Sequence, residues 1–332
     1  MPEEFDLIAI GDVVTDAFIR IKQASVHFVP EEKEEELCFT NGAKIPYEFV
    51  EVVPAVGNSA NAAVAAARLG LRTAFVGDIG NDEHGEEDLA QFKKEGVETK
   101  FIRVHEGQKS NYHYVLWFKA ERTILIKHEE YSRKFPDIGT PKWIYLSSLG
   151  EDSLPYHSEI VEYLKTHPDI KLAFQPGTFQ IKFGTEALKE IYARAEVFFC
   201  NKEEAQLILK LGDTPVPELA KKMSELGPKI SVITDGPKGA FAYNKENGET
   251  WFMPPYPDPK APYDRTGAGD AFSSTFAIAL FKGKSVDEAF LWAPINSMSV
   301  VQKIGAQAGL LHENDIEEWL AKAPEDYKPR KV

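Results

Sequence analysis

From Trp143 onward the chain alternates between two kinds of segment, and this alternation limits its fold more than any other feature. WIYLSSL, KLAFQPG, EVFFCN and KISVITDG are short apolar runs of strand length. SEIVEYLKTH, EALKEIYARA, EEAQLILKLG and ELAKKMSELG read as the intervening helices. Strands joined through helices pair in parallel, and a parallel sheet needs both faces covered. The expected class is α/β with a mainly parallel central sheet. The N-terminal part adds to the same scheme. DLIAIG at 6–11 reads as a buried strand and TAFVGDIGND at 73–82 as another strand and turn. The Ala-rich run from Ala60 to Leu69 is a helix ended by Gly70, and HGEEDLAQFKKEG forms the next helix. With 332 residues, 43% of them hydrophobic, the chain can build one large α/β domain or two modest ones.

Two regions depart from that order. Between Ala17 and Val53, AFIRIK and YEFVEVV alternate as half-exposed strands do, PEEKEEE reads as a charged loop, and Asn41-Gly42 is a hairpin signal. Between Phe101 and Glu129, FIRVHE, SNYHYVLWFK and ERTILIKHE alternate again. All these strands are expected in one small sheet. His105, His113 and His128 lie in it and receive no role. The tail 323–332 is polar and charged and is expected to fray.

The densest chemical signal is DRTGAGDA, Asp264 to Ala271. Gly267, Ala268 and Gly269 make a turn that feeds a helix running AFSSTFAIALFKG and closing at Gly283. The first amides of a helix lack internal partners and carry partial positive charge, so such a turn attracts phosphate. Glycines let the backbone approach a bulky anion and adopt positive φ. Asp270 suits a site where an alcohol loses its proton beside the phosphate it attacks, and the helix terminus is expected to keep that carboxylate ionised. An ordinary capped loop, or another kind of nucleotide turn, has similar residues.

The whole string DRTGAGDAF resembles the C-terminal signature of the ribokinase-like (PfkB) family of sugar and nucleoside kinases. The resemblance runs in matching order from Gly11 to Leu311. It implies a three-layer α/β/α kinase domain over 1–322, with a small β-sheet lid from about 17–53 and 101–129. It also implies that Gly267, Ala268 and Gly269 form the anion hole and that Asp270 is the catalytic base. Gly57, Asn58 and Asn61 match the N-terminal GGNxxN signature, with Val56 in place of its first glycine, at some cost in backbone freedom. Together with Asp16, five residues after Gly11, they are the implied acceptor contacts. On their own, Asp12 and Asp16 read equally as solvated turn residues. Asn201 and Glu204 match NxxE, which arranges magnesium and its water shell, and they also spell a near capping box. Thr234, Gly236 and Gly239 match the TxGxxG nucleotide loop, and a plain turn would look the same. Asn296 and Lys303–Gln307 resemble the segment beside adenine, which in relatives gives backbone oxygens to a monovalent cation such as K⁺. Arg265 is a further contact for the phosphates, or a surface ion pair.

The expected activity is therefore transfer of phosphate from ATP, with Mg²⁺, to a primary alcohol of a small sugar. A nucleoside acceptor stacked on Tyr112, Tyr114 or Trp117 is the alternative, and a non-catalytic sugar- or nucleotide-binding regulator the third reading. The net charge of −14 argues against nucleic acid or an anionic membrane as partner. Cys38 and Cys200 are far apart and outside any metal-ligand spacing, so a reducing cytoplasm without a disulfide is expected. The apolar run at the N-terminus is short for a signal peptide. VLWFK, with Ile124 and Leu125 nearby, offers apolar surface that a monomer would expose, and the resemblance implies lids that pair across a two-fold axis, so a homodimer joined through the lids is expected, with either Leu116 or Phe118 facing outward.

Overall fold

A computed structural model describes residues 4–29, 34–119 and 121–332. In chain order its first half contains β1 (Leu7–Ile10), β2 (Val14–Ile21), β3 (Ser25–Val29), β4 (Glu34–Cys38), β5 (Tyr47–Val56), α1 (Asn58–Arg68), β6 (Thr73–Gly80), α2 (Glu83–Lys94), β7 (Glu98–His105), β8 (Tyr112–Phe118) and β9 (Glu121–Leu125). The second half begins with β10 (Trp143–Leu146), α3 (Leu154–Thr166), β11 (Lys171–Phe174), α4 (Thr178–Ala187), α5 (Lys189–Arg194), β12 (Ala195–Asn201), α6 (Lys202–Leu209), α7 (Val216–Glu225) and β13 (Ile230–Thr234). It ends with β14 (Ala240–Asn244), β15 (Glu249–Met253), α8 (Ala268–Phe281), α9 (Val286–Val300), α10 (Glu313–Ala321) and β16 (Arg330–Lys331).

The central sheet has ten strands in the order β16-β15-β14-β13-β12-β11-β10-β1-β6-β7. From β13 to β7 every pairing is parallel, while β14, β15 and β16 run antiparallel at one side. The alternation inside β1 shows why helices must lie on both faces. Leu7 and Ala9 join a core with the alanines of α1 and with Phe272, Phe276 and Phe290 of α8 and α9. Ile8 and Ile10 join a second core with Tyr156 and Ile160 of α3, Ile191 of α5 and Leu219 and Met223 of α7. The result is the three-layer α/β/α arrangement. Strand order reverses at β1, which has β6 on one side and β10 on the other. In open α/β sheets the crevice at that reversal, beyond the strands' carboxyl ends, is where ligands sit.

Above the crevice lies a second sheet, β5-β2-β8-β9. Its position explains two departures from the sequence reading. FIRVHE belongs to β7, which pairs in parallel with β6 at the edge of the central sheet rather than in the lid. Glu34–Glu36 of the expected charged loop are in β4, which pairs with β3 in a sheet of its own, while residues 30–33 of that loop lie outside the described residues. Asn41-Gly42 is a turn, with Gly42 at φ 75, but it leads from β4 into a different sheet and closes no hairpin.

The tail also departs from expectation. Arg330 and Lys331 pair with Phe252 and Trp251 as β16. Tyr327 is buried, donates its hydroxyl hydrogen to Leu291 O at 2.8 Å, and meets the Tyr256 ring edge-on. Burying one aromatic ring and satisfying its hydroxyl holds this end down where local polarity suggested fraying. Cys38 and Cys200 are both free. Among the described residues no helix is long and apolar enough to cross a membrane.

Candidate active site

The turn at the start of α8 has the geometry of an anion site. Gly267 precedes the helix in the left-handed region, with φ 77 and ψ 2. A Cβ there would fall 2.3 Å from the Ala306 Cβ, so both its conformation and its close contact require glycine. Ala268 begins the helix, its N–H making one long 3.4 Å contact to Arg265 O, and Ser297 Oγ donates to Ala268 O at 3.0 Å. Gly269 is different from expectation. It lies within the helical turn without positive φ, and a Cβ built on it meets nothing within 4 Å. Its value is open space at the mouth of the turn, while the backbone freedom is needed at Gly267.

Asp270 is held by three amide side chains. Asn58 Nδ2 and Gln175 Nε2 donate to Oδ1 at 2.8 and 2.9 Å, and Asn61 Nδ2 donates to Oδ2 at 2.8 Å. Asn58 and Asn61 occupy the first turn of α1, and Gln175 follows β11. Asn61 is itself fixed, because its Oδ1 accepts from Gln307 Nε2, which also donates to Ala55 O. Enclosure by protein raises the Asp270 pKa above the ordinary carboxylate value, the three amides oppose that rise, and the nearby charge of Asp16 adds to it. Burial is the largest of these effects on Asp270. Asn58 and Asn61, expected at the acceptor, direct their amide groups to Asp270.

Beside the turn opens a cavity of about 440 Å³. Its walls include Thr234, Gly236 and Gly239 on one side and Ala268, Gly269 and Arg265 on the other, so it brings together two separate sequence motifs. Asn296 is not among them. It is fully buried, with Nδ2 donating to Thr275 Oγ1 and Oδ1 accepting from Leu311 N–H, and it ties α9 to α8. Its neighbours Ser297 and Met298 line the cavity instead. Asn201 and Glu204 form a full capping box, each side chain accepting from the other's backbone N–H at 2.8 and 2.9 Å. Burial raises the Glu204 pKa, opposed by the Asn201 N–H, and the charges of Asp270 and Glu203 raise it further, so two carboxylates feel one another across this end of the crevice.

The opposite wall was largely illegible in the sequence. Asp12, just past β1, is buried against Arg133 Nη1 at 2.8 Å and His128 Nδ1 at 3.2 Å. Although burial pushes the other way, these two groups hold the Asp12 carboxyl below its usual range. Asp16 on β2 faces His113 on β8, with Oδ1 and Nδ1 3.4 Å apart. Arg133 also lies 3.5 Å from Asp78 and 3.6 Å from Asp152. His128 and Arg133 stand on residues 126–142, which have no regular structure and are pinned by backbone bonds to Asn111 Oδ1 and Arg103. Several buried atoms of this wall make no hydrogen bond within the protein, namely Asp12 Oδ2, Asp16 Oδ1, His113 Nε2 and Arg133 Nε and Nη2. Buried polar atoms of this kind suit a hydroxyl-rich ligand.

Residues 49–313 match the model of the pfkB family carbohydrate kinases. The chain belongs to the pfkB family. It is 28% identical to an uncharacterised sugar kinase of Archaeoglobus fulgidus over 73% of this chain and 96% of the relative. It is 27% identical to the ribokinase of Bacillus subtilis over 80% of this chain and 87% of the relative. The structure of Arabidopsis thaliana ribokinase complexed with ribose and ATP superimposes with a TM-score of 0.77 at 20% identity, covering 96% of this chain and 99% of that one. Membership makes the chain an ATP-dependent sugar kinase.

The pfkB signature also locates a local difference. Val56, where the family pattern has a glycine, is ordinary strand backbone paired with Val14. Positive φ falls on either side, at Ala55 (φ 55) and Gly57 (φ 112), so valine costs no backbone freedom here. A Cβ on Gly57 would lie 2.9 Å from Asp12 O, so this glycine permits the close approach of the two backbone segments. Asp88 Oδ1 holds the strained Ala55 by accepting its N–H at 2.6 Å, and Asp88 also takes the Thr15 hydroxyl. Gln175 gave one signal in sequence, a polar residue directly after an apolar strand. Its role can be tested by Gln175→Leu. Losing one donor to the carboxylate raises the Asp270 pKa further, so the acidic limb of the kcat/KM profile moves to higher pH, as a pH-rate series will read.

Proposed function

We propose that this kinase phosphorylates the primary alcohol of a small, uncharged sugar, using ATP with magnesium. The observation that carries the reading is that Asp270 directly follows Gly269, which lines the 440 Å³ cavity, and feels the charge of Asp16 in the buried polar wall. ATP in the cavity would end with its γ-phosphate at the amides of Gly267, Ala268 and Gly269. Asp270 takes the proton of the alcohol, the freed oxygen attacks phosphorus, and the helix terminus stabilises the charge on the transferring group. Thr234, Gly236 and Gly239 border the nucleotide, and Arg265 at the cavity wall reaches its phosphates. Asp16, Gly57 and the wall around Asp12 hold the acceptor.

The charge of that wall favours a neutral acceptor. Asp12, Asp78 and Asp152 surround the Arg133 guanidinium, Arg103 lies 3.9 Å from Asp78, and Asp16, whose charge reaches Asp270, faces His113. A carboxylate or phosphate on the acceptor would face carboxylates, whereas sugar hydroxyls both donate and accept. The aromatic residues suggested for a nucleoside base fit less well. Tyr114 is exposed on the outer face of the lid beside Tyr112, and Trp117 is boxed in by Arg20, Phe49 and Tyr263. A nucleoside reading rests on Phe179, whose half-buried ring lies 5.8 Å edge-on from His128. A mere binding protein would have no use for a carboxylate held by three amides at raised basicity.

Magnesium fits beside Glu204. Two mutually repelling carboxylates raise each other's proton affinity there, and a divalent cation relieves that repulsion. Glu204 would hold it through water, and its chemistry would be to neutralise phosphate charge. The outer lid face carries Val50, Val52, Tyr114 and Leu125, all exposed. Leu116 and Phe118 are both half-buried and, two residues apart on β8, share that face rather than opposite ones. We assign this face to a homodimer joined lid to lid.

Three measurements test these statements. In an ATP-consumption screen, neutral pentoses and hexoses should outrun aldonates, sugar phosphates and nucleosides, and Asp270→Asn should lower kcat by roughly 10²–10⁴-fold with ATP affinity kept. An anionic acceptor as best substrate would refute the charge argument. Glu204→Gln should raise the magnesium concentration needed for half-maximal rate. A change in melting temperature alone would leave Glu204 as a helix cap. Leu116→Glu should yield monomers by light scattering, and a wild-type protein monomeric at high concentration would exclude the dimer.

A further inference from the structure

The charged group at the centre of the transfer loop is Asp264. Its side chain is wholly enclosed, so its charge needs compensation. Oδ2 accepts the Gly305 N–H at 2.8 Å, and Oδ1 accepts the N–H and hydroxyl of Thr266 at 3.0 and 2.8 Å. The remaining partner comes from the lid. Arg122, on β9 and opposite Trp117 in register, pairs its Nη1 with Asp264 Oδ1 and donates from the same nitrogen to Thr266 Oγ1 at 2.6 Å.

Around this pair three pieces of the protein converge. Tyr263 and Asp264 donate backbone N–H groups to Val301 O at the end of α9. Gly267 rests on Ala306, and a Cβ on Gly305 would touch Val53 of β5 and Phe18 of β2. Tyr263 meets Trp117 of β8 edge-on at 5.1 Å. The loop 303–307 is also the stretch expected to give backbone oxygens to a monovalent cation. The residues present do not fit that ion. The buried carboxylate beside the loop already has a guanidinium, and Arg265 is close enough to disfavour further positive charge, which it does to Arg122 itself after the larger effect of burial. Glu121 opposes this lowering.

We propose that the Arg122 guanidinium is the resident cation of the phosphoryl-transfer loop, replacing a free monovalent ion and fastening the anion-hole turn to the lid. A free ion comes and goes with its concentration. A tethered one is present only when β9 is docked, so the lid and the anion hole become complete together. This rests on the kinase reading of residues 264–270.

The test compares potassium chloride with choline chloride at equal ionic strength, for wild type, Arg122→Ala and Arg122→Lys. Thermal unfolding without nucleotide or sugar reads cation binding whether or not an acceptor is known, and steady-state turnover reads its use. Wild type and Arg122→Lys should melt at the same temperature and turn over at the same rate in both salts. Arg122→Ala should lose on the order of 10- to 100-fold in kcat in choline. In potassium it should regain rate and melt at a higher temperature than in choline. A potassium-specific stabilisation of wild type overturns the proposal. So does an equal loss in both salts for Arg122→Ala, which would leave Arg122 an ordinary structural ion pair. Should no acceptor be turned over by any form, the kinase reading fails while the melting comparison still decides where the cation resides. If Arg122→Ala does not fold in choline, recovery of a folded transition in potassium alone supports the proposal, and failure in both salts overturns it.

Discussion

The carboxylate of Asp270 is gripped by Asn58, Asn61 and Gln175, and much of the molecule serves to make that grip possible. The donors come from the start of α1 and from the end of β11, and the acceptor from the start of α8. These points are far apart in sequence and meet only because parallel strands place their carboxyl ends along one edge. The α1 helix packs closely on α8 because its inner face is alanine. A larger residue at Ala60 or Ala63, both fully buried, would push the amides away from the base. Packing in the core thus sets a hydrogen-bond geometry at the surface of the crevice.

The fold and the transfer end of the site were legible for physical reasons. Parallel strands are buried on both faces and announce themselves as apolar runs, and a phosphate turn needs glycine where φ is positive. The segments that hold Thr234, Gly236 and Gly239 and that hold Arg265, Ala268 and Gly269 meet around one cavity. The acceptor wall was illegible because its chemistry comes from side chains without a spacing rule. Arg133 and His128 sit on an irregular segment, and nothing local distinguishes them from surface residues. Asn296 failed for the opposite reason. An amide in a functional stretch looks like a ligand contact, but this one satisfies a buried hydroxyl and a backbone N–H. The tail failed because polarity of sequence says nothing about a single tyrosine finding a pocket.

The lid is bonded to the rest of the crevice through more than proximity. β2 brings Asp16 opposite His113 of β8, β5 runs into α1 at Gly57, and β9 places Arg122 against Asp264. Strain at Ala55 is held where β5 leaves the lid, by Asp88 and Gln307, and Gln307 also secures Asn61. A shift of the small sheet is therefore felt at the base through a short series of bonds.

The irregular segment 126–142 gives the design a further property. Its backbone is fixed by a few bonds to Arg103 and Asn111, and its side chains supply one whole side of the acceptor wall. No helix or strand depends on its local sequence for its own periodicity. The segment makes its contacts through single side chains such as Arg133 and His128. The strip that lines this part of the crevice is thereby built separately from the turn at Gly267 and the amides around Asp270.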